Sequence, residues 1–556
     1  MRGFPKNILA ERRTFRFWIN IWIALFLLSM LGVIDSFDTS VLCFSTPVKI
    51  TLNIFTGIFK STLLTALLYL SRRHKVPLVA SAVIVAVYSL LCLVNGICYM
   101  LYGMGITIKL FTILAQTNPE EASEFLPSLT HNIAALFSQP SVISVIAAAI
   151  LIFVCGRYIR PKAFLIFAAA GSAAGLASLI YITATLKGGR TGFYVLPKTA
   201  KCAIQTYREA KQVEQLMNFR GKLPYPQTIK SRELCDLIFI TGESASRRHH
   251  SLYGYPLRTT PELDSMADSL IVFSDAIGSS TATAFNMNRI LTFISDAEDA
   301  SDWMDSPSIF SVMSHAGYST AWISNQERSG TLSNNTLALV RDAEKVEFVG
   351  NTSSDDATII EYDENLLAPA AEFWTQPDSP KLLGLHLMGS HLTYRRRYPQ
   401  TFAYFTADSI RRHIPPKKAR IIAEYDNSIR YTDHIVARII KIAARSSRPA
   451  AVIYFSDHGE NVYDNGDFNG RDERHVEVPF IIYLNRAFRE AYPEKLAQLV
   501  QAKDLPLSTA NLIHLILSLT GTGYQLCRDS LDISSPNYRI RPRYVDDHVW
   551  KYEKRR

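Results

Sequence analysis

The sequence predicts two unlike parts: an N-terminal bundle of five transmembrane helices and a C-terminal α/β domain built on a mostly parallel sheet. Up to about residue 185 the chain is mostly apolar, in stretches close to the ~20 residues that cross a bilayer. From about residue 230, short apolar runs stop abruptly at polar clusters and alternate with helical stretches. That is the pattern of buried strands with helices on both faces. Whole-chain averages hide the division: over 556 residues, charged side chains make up 20% and the hydrophobic set 48%.

The five spans are expected near 17–34, 50–70, 76–100, 141–158 and 163–185. The third, VPLVASAVIVAVYSLLCLVNGICYM, is the clearest, and the second carries Lys60 in its middle. The N-terminal segment holds Arg2, Lys6, Arg12, Arg13 and Arg16; SRRHK follows the second span and RYIRPK the fourth. Loops rich in Lys and Arg stay in the cytoplasm. The opposite loops, 35–49 and 101–140, are poor in both and include Glu120, Glu121 and Glu124. This asymmetry places everything after about 186 outside the cytoplasm. No small-residue cleavage site follows the first span, so it reads as an anchor rather than a removable signal. Residues 186–230 form a linker region with a helix over TAKCAIQTYREAKQVEQLMNF, and 231–556 the exported domain.

Strands are expected at LIFITGES (237–244), YSTAWISNQ (318–326), KLLGLHLMGSH (381–391), AVIYFSDHGE (451–460) and VPFIIYL (478–484). PSIFSVMSHAG (307–317) and DNSIRYTDHIVARIIKIAA (426–444) read as helices between them. In such sheets chemistry gathers beyond the carboxyl ends of the strands. Composition excludes other classes. Lys plus Arg number 59 against 50 Asp plus Glu, without a long basic run, so nucleic acid is not a partner. Seven cysteines without CxxC spacing make neither a disulfide scaffold nor a zinc finger.

Asp457 and His458, in SDHGE at a strand end, pair a carboxylate with an imidazole, both good zinc ligands. Glu243, behind Gly242 at another strand end, supplies a second acid in an equivalent place. A metal with an open position needs a nucleophile beside it. DAIGSSTATAFNMNR (275–289) runs from a strand-like stretch into a helical pattern, so a hydroxyl there meets a helix N-terminus, which favours an anion. Ser279, Ser280, Thr281 and Thr283 all compete for that place. His391, ending a strand in GSH, and His475, ahead of VPF, are candidates for substrate phosphate or a second metal. His249, His250 and His386 read as structural.

Taken together these residues resemble the membrane-bound phosphoethanolamine transferases of Gram-negative bacteria, members of the alkaline phosphatase and sulfatase superfamily. The matching pieces are GES at 242–244, SLYGYPLRTTPEL at 251–263, GSSTATA at 278–284, AWISNQ at 321–326 and HLMGSHLTYRRRYP at 386–399. YDNSIRYTD at 425–433, SDHGE at 456–460, RHVEVPF at 474–480 and the loop piece QTNPEEASEF at 116–125 complete them. The resemblance implies an alkaline phosphatase/sulfatase-like domain in the periplasm, held to the inner membrane by the five spans. It implies that Glu243, Asp457 and His458 bind Zn²⁺, with Thr281 as nucleophile and fourth ligand. His391, His475 and Asn325 would bind substrate, with His391 a contact for phosphate or a second zinc. The implied donor is phosphatidylethanolamine, and the acceptor is lipopolysaccharide, on lipid A or on core sugars.

Two departures stand out. Ile277 and Met287 occupy places where many members carry a disulfide beside the nucleophile, and only Cys202, Cys235 and Cys527 follow residue 186. Asn469 falls where some members carry a substrate-binding histidine. Among rival functions, a sulfatase lacks its C/S-x-P-x-R motif around Thr281. A phosphoglycerol transferase, sharing the five-span plan, is the nearer alternative. An inactive membrane scaffold is at odds with the intact acid and histidine set.

Overall fold

The computed structural model describes residues 6–31, 46–71, 75–102, 105–107, 110–111, 161–185, 195–219, 229–230, 235–295, 300–326, 335–350, 361–376, 380–465, 473–546 and 550–552. The expected span at 141–158, the loop piece 116–125 and Asn469 lie outside these residues. The chain divides into two units, one over 1–114 and 125–209, the other over 115–124 and 210–556.

The first unit contains α1 (Lys6–Leu31), α2 (Thr46–Ser71), α3 (Lys75–Tyr102) and α4 (Pro161–Thr185). Three stretches, Thr14–Leu31, Thr51–Ser71 and Leu78–Cys98, are long and apolar enough to cross a membrane. The second includes Lys60, which does not interrupt α2. In α4 a shorter apolar stretch runs over Lys162–Ser178, so three of the five expected spans meet the full criterion among the described residues. Polar side chains join the helices: Trp22 Nε1 donates to Thr62 Oγ1 at 2.8 Å, and the Tyr88 hydroxyl donates to Ser29 Oγ at 3.0 Å. Where helices face lipid, such bonds and close packing rather than water exclusion hold them together. A further helix, α5 (Val195–Phe219), covers the stretch expected to be a linker helix.

The second unit is organised by a seven-stranded sheet. Its strands are β1 (Asp236–Gly242), β2 (Leu270–Val272), β3 (Ser319–Ser324), β4 (Lys345–Phe348), β5 (Lys381–His386), β6 (Ala450–Ser456) and β7 (Phe480–Leu484), in the order β2-β7-β6-β1-β5-β3-β4. From β6 to β4 every pairing is parallel. The sheet is nevertheless mixed, because β7 lies antiparallel between β2 and β6. A parallel neighbour needs a crossover, usually helical; among the described residues between β6 and β7 there is only the short turn Glu473–His475, and the chain returns alongside β6.

Both faces of the sheet are buried, which explains the unbroken apolar runs. Leu237 and Phe239 point into one core with Trp322, Ile453 and Phe455. Ile238 and Ile240 point into the other with Ile323, Leu385 and Val452, as the two-residue period of a strand requires. The helix Leu512–Thr520 covers the first face through Leu512, Ile513 and Ile516. The long helix α7 (Pro416–Ala444), which follows α6 (Thr283–Ile290) in chain order, covers the second through Tyr431, Ile435 and Ile439. Cys235 and Cys527 are free thiols, as is Cys202 in α5, so packing rather than a bridge stabilises this unit.

Candidate metal centre and active site

Strand register builds the centre. β1 and β6 are neighbours with Gly242 opposite Ser456, so the residues that follow, Glu243 and Asp457, emerge side by side. The Asp457 amide donates back to the Gly242 carbonyl at 3.1 Å. Glu243, Asp457 and His458 then gather with their ligand atoms within 4.8 Å of one another. His458 Nε2 is 3.4 Å from Glu243 Oε1 and 3.5 Å from Asp457 Oδ2. All three are buried, Asp457 completely.

Backbone groups aim these atoms. Asp457 Oδ1 accepts from the amides of Ser244 at 3.2 Å and His458 at 2.7 Å. Its other oxygen, Oδ2, is buried and has no hydrogen-bond donor. A buried acceptor left without a donor costs about 1–3 kcal/mol, so this site calls for a cation. His458 Nδ1 lies 2.9 Å from the Gly459 carbonyl, which makes Nδ1 a donor and aims Nε2 at the acids. Ser244 takes a left-handed φ of 56° while its hydroxyl donates to Glu243 Oε1 at 2.8 Å, a strained residue beside the ligand.

The electrostatics agree. Burial disfavours the charge on Glu243, but the hydrogen bond and charge of His458 outweigh it and hold the carboxyl below its ordinary range. Burial and the neighbouring Glu243 together push Asp457 up to about 7. Burial opposes a charged His458, yet Asp457 and Glu243 draw it up to about 10. Two carboxylates and an imidazole in a dry pocket form a donor set that suits zinc.

Of the four candidate hydroxyls, that of Thr283 reaches this cluster. Its Oγ1 donates to Glu243 Oε2 at 3.1 Å and lies 3.5 Å from His458 Nε2. Thr283 is the first residue of α6, after the extended Ala282. Thr281, expected here from the resemblance, bonds elsewhere: its amide and hydroxyl both donate to Asp546, at 3.0 and 3.2 Å. Asp546 also accepts from Ser280 Oγ at 2.7 Å, and Asn286 Oδ1 accepts from Ser279 Oγ and the Ser280 amide. Two residues of loop are enough to turn one hydroxyl towards the ligands and the other towards Asp546.

The remaining expected residues divide. The His475 ring meets the His458 ring edge-on at 5.5 Å, and the His475 carbonyl accepts from the Gly459 amide at 3.0 Å. His391 follows a turn in which the Ser390 amide donates to the Glu243 carbonyl at 2.9 Å, and its charge is felt by Glu243. Asn325 sits beyond the end of β3. It is buried and donates to Asp363 Oδ1 at 2.9 Å, while Asp363 accepts from the amides of Met388 and Gly389. It therefore braces the turn before His391. Sequence reasoning missed Gln326, whose Nε2 lies 3.3 Å from Glu243 Oε2 and 3.0 Å from the Leu387 carbonyl. Its place beyond β3, at a strand end like Glu243, was the available signal. No signal existed for Asp546.

Known proteins offer the same combination. The family described as Sulfatase matches residues 236–522. Phosphoethanolamine transferase EptC of Escherichia coli K12 is 30% identical over 369 residues, covering 64% of this chain and 61% of that protein, so the chain spans about three fifths of that relative. Phosphoethanolamine transferase CptA of Salmonella typhimurium LT2 is 28% identical over 484 residues, covering 80% of this chain and 81% of its own. The zinc complex of the periplasmic domain of the Escherichia coli EptC superposes with a TM-score of 0.53 at 29% identity, covering 58% of this chain and 92% of that one. The integral membrane protein lipooligosaccharide phosphoethanolamine transferase A of Neisseria meningitidis shares the fold, with a TM-score of 0.60 at 17% identity over 91% of this chain and 97% of its own. With its strand-end acids, its histidine and a match across more than half its length, this chain belongs to the sulfatase family.

Proposed function

We propose that this protein transfers phosphoethanolamine from phosphatidylethanolamine to lipopolysaccharide, on lipid A or core, through a phospho-threonine intermediate. The observation that carries the reading is the Thr283 hydroxyl set against Glu243, Asp457 and His458 at the strand ends. Relatives named phosphoethanolamine transferases, and a relative's periplasmic domain solved with zinc, support it. Glu243, Asp457 and His458 would hold a Zn²⁺, which would lower the pKa of a neighbouring hydroxyl and offset phosphate charge. Thr283 Oγ1 bonds to phosphorus as the bond to the diacylglycerol oxygen breaks. The proton lost by the threonine is balanced by one gained on diacylglycerol, which leaves as an alcohol. A protonated acceptor oxygen, of a hydroxyl or of a phosphate monoester, then attacks the same phosphorus, and its proton passes to the Thr283 oxygen as the bond to phosphorus breaks. The N-terminus of α6 steadies the phosphate charge during both displacements. His391 and His475 flank the centre as substrate contacts.

The same reading makes residues 1–185 a five-span anchor in the inner membrane, with 186–230 as linker and 231–556 in the periplasm. The test is intact-mass and peptide mapping of the full-length protein after incubation with phosphatidylethanolamine. A phosphoethanolamine adduct on Thr283 is expected. An adduct on Thr281 would move the nucleophile to the place the resemblance implies, and no adduct on either would overturn the reaction.

A further inference from the structure

A cavity of about 920 Å³ opens in the second unit, apart from the three clustered ligands. Four arginines line it, Arg248, Arg411, Arg412 and Arg474, with the rings of Tyr255 and Tyr404. Two carboxylates, Asp408 and Asp464, line it with them, and Glu477 pairs with Arg248, so four arginines meet three acids. Ligand sites usually enclose ~300–1,000 Å³, and this cavity falls within that range.

The wall is built from beneath. Arg412 Nη2 pairs with Asp464 Oδ1 at 2.7 Å, and Asp464 Oδ2 meets His249 Nε2 at 3.2 Å. His249 Nδ1 meets Asp426 Oδ1 at 2.6 Å, and Asp426 accepts from the Tyr255 hydroxyl at 3.0 Å. His249 and Asp426 are fully buried, and the Tyr255 ring lies 4.6 Å from the His249 ring. A buried charged chain of this kind is expensive in folding terms; here it fixes one guanidinium and one phenol on the cavity surface. Arg430 packs over the Tyr404 ring at 3.9 Å, holding it in place. Arg411 is exposed and forms no ion pair among the described residues.

Two segments lead from the metal ligands to the cavity. Glu243 continues to Arg248 within five residues, and His458 continues to Asp464 within six. Arg474 adjoins His475, whose ring touches that of His458. An anion seated among the arginines is thus tied by short, buried chain to the reacting centre. Planar guanidinium groups pair with phosphate oxygens two at a time, while the tyrosine rings offer flat apolar faces to sugar.

The geometry points to this cavity as the subsite for the acceptor, a phosphorylated saccharide, distinct from the place where the donor lipid reacts. The inference rests on the proposed transfer reaction, and the experiment separates the two. Full-length protein is assayed for adduct formation from phosphatidylethanolamine, and then for transfer to a bisphosphorylated glucosamine disaccharide. In Arg411→Glu and Arg412→Ala the adduct on Thr283 is expected to form as in the unaltered protein. The KM for the disaccharide is expected to rise about 10-fold or more in each, the loss of one charge-assisted contact. Arg411→Glu changes an exposed side chain outside the buried chain, so its folding is secure even if Arg412→Ala unfolds. The unphosphorylated disaccharide should be a much poorer acceptor than the bisphosphorylated one. Unchanged KM in Arg411→Glu, equal use of the neutral disaccharide, or loss of the adduct together with transfer would each overturn the subsite. Failure of the unaltered protein to form any adduct would instead overturn the reaction.

Discussion

Gly389 tests whether the turn after β5 sets the position of Glu243. Its φ is +51°, and a methyl group there would sit 2.9 Å from both the amide nitrogen and the carbonyl oxygen of Glu243, and 3.2 Å from its Cβ. Left-handed backbone costs a residue with a side chain about 1–2 kcal/mol. Crowding a packed site adds about 1–3 kcal/mol, and the crowded atoms are those that carry a metal ligand. Gly254 is the matched control: its φ is +92°, yet a methyl group there meets nothing within 4 Å. Gly254→Ala therefore pays for backbone strain alone. Both variants are expected to lose about 1–2 kcal/mol from strain. Only Gly389→Ala should lose zinc affinity as well, by about 10-fold or more, because its neighbour is displaced by a few tenths of an ångström. Zinc titration of the detergent-solubilised full-length protein, with thermal unfolding in parallel, measures both quantities. Equal zinc affinity in the two variants would refute the idea that this turn holds Glu243 in place.

Asp457→Asn should lose bound zinc and transfer activity together, as measured by metal analysis, and chelation of the unaltered protein should do the same until zinc is restored. Thr283→Ala should abolish the adduct, whereas Thr281→Ala should keep it; the reverse outcome by mass spectrometry would return the role to Thr281. Asp546→Ala removes the acceptor of Ser280 Oγ and of the Thr281 amide and hydroxyl, and should lower the rate of adduct formation with zinc content unchanged. His249 is opposed in its charge by burial but drawn up to about 9 by Asp426 and Asp464. Its folded value lies above the unfolded one, so its contribution is complete below about 6.5 and is lost as pH rises through about 9. Denaturant titrations of His249→Gln should accordingly show less loss of stability between those limits than the unaltered protein, and parallel curves would refute the assignment of charge.

The strands that carry the ligands could be read in advance because their burial on both faces writes itself as continuous apolar sequence. LIFITG and AVIYFS need no partner to declare themselves, and the polar residues after them had to lie at strand ends. The direction of β7 could not be read so, since an apolar run looks the same whether it pairs parallel or antiparallel. Nor could the place of Asn325, whose neighbour Asp363 lies 38 residues away.

By itself the sequence determined the apolar anchor, the α/β alternation and the identity of Glu243, Asp457 and His458 as converging groups. Each of these depends on local composition and on the rule that parallel strands end together. Which of the two threonines reaches Glu243 depends on tertiary contacts. Thr281 and Thr283 are chemically alike and two residues apart. Helix α6 begins at Thr283 and turns it to Glu243, while Asp546, 265 residues further along the chain, holds Thr281 away. A choice between near neighbours made by so distant a partner is a property of the packed chain, because side-chain direction at a helix entrance depends on contacts that no local pattern records.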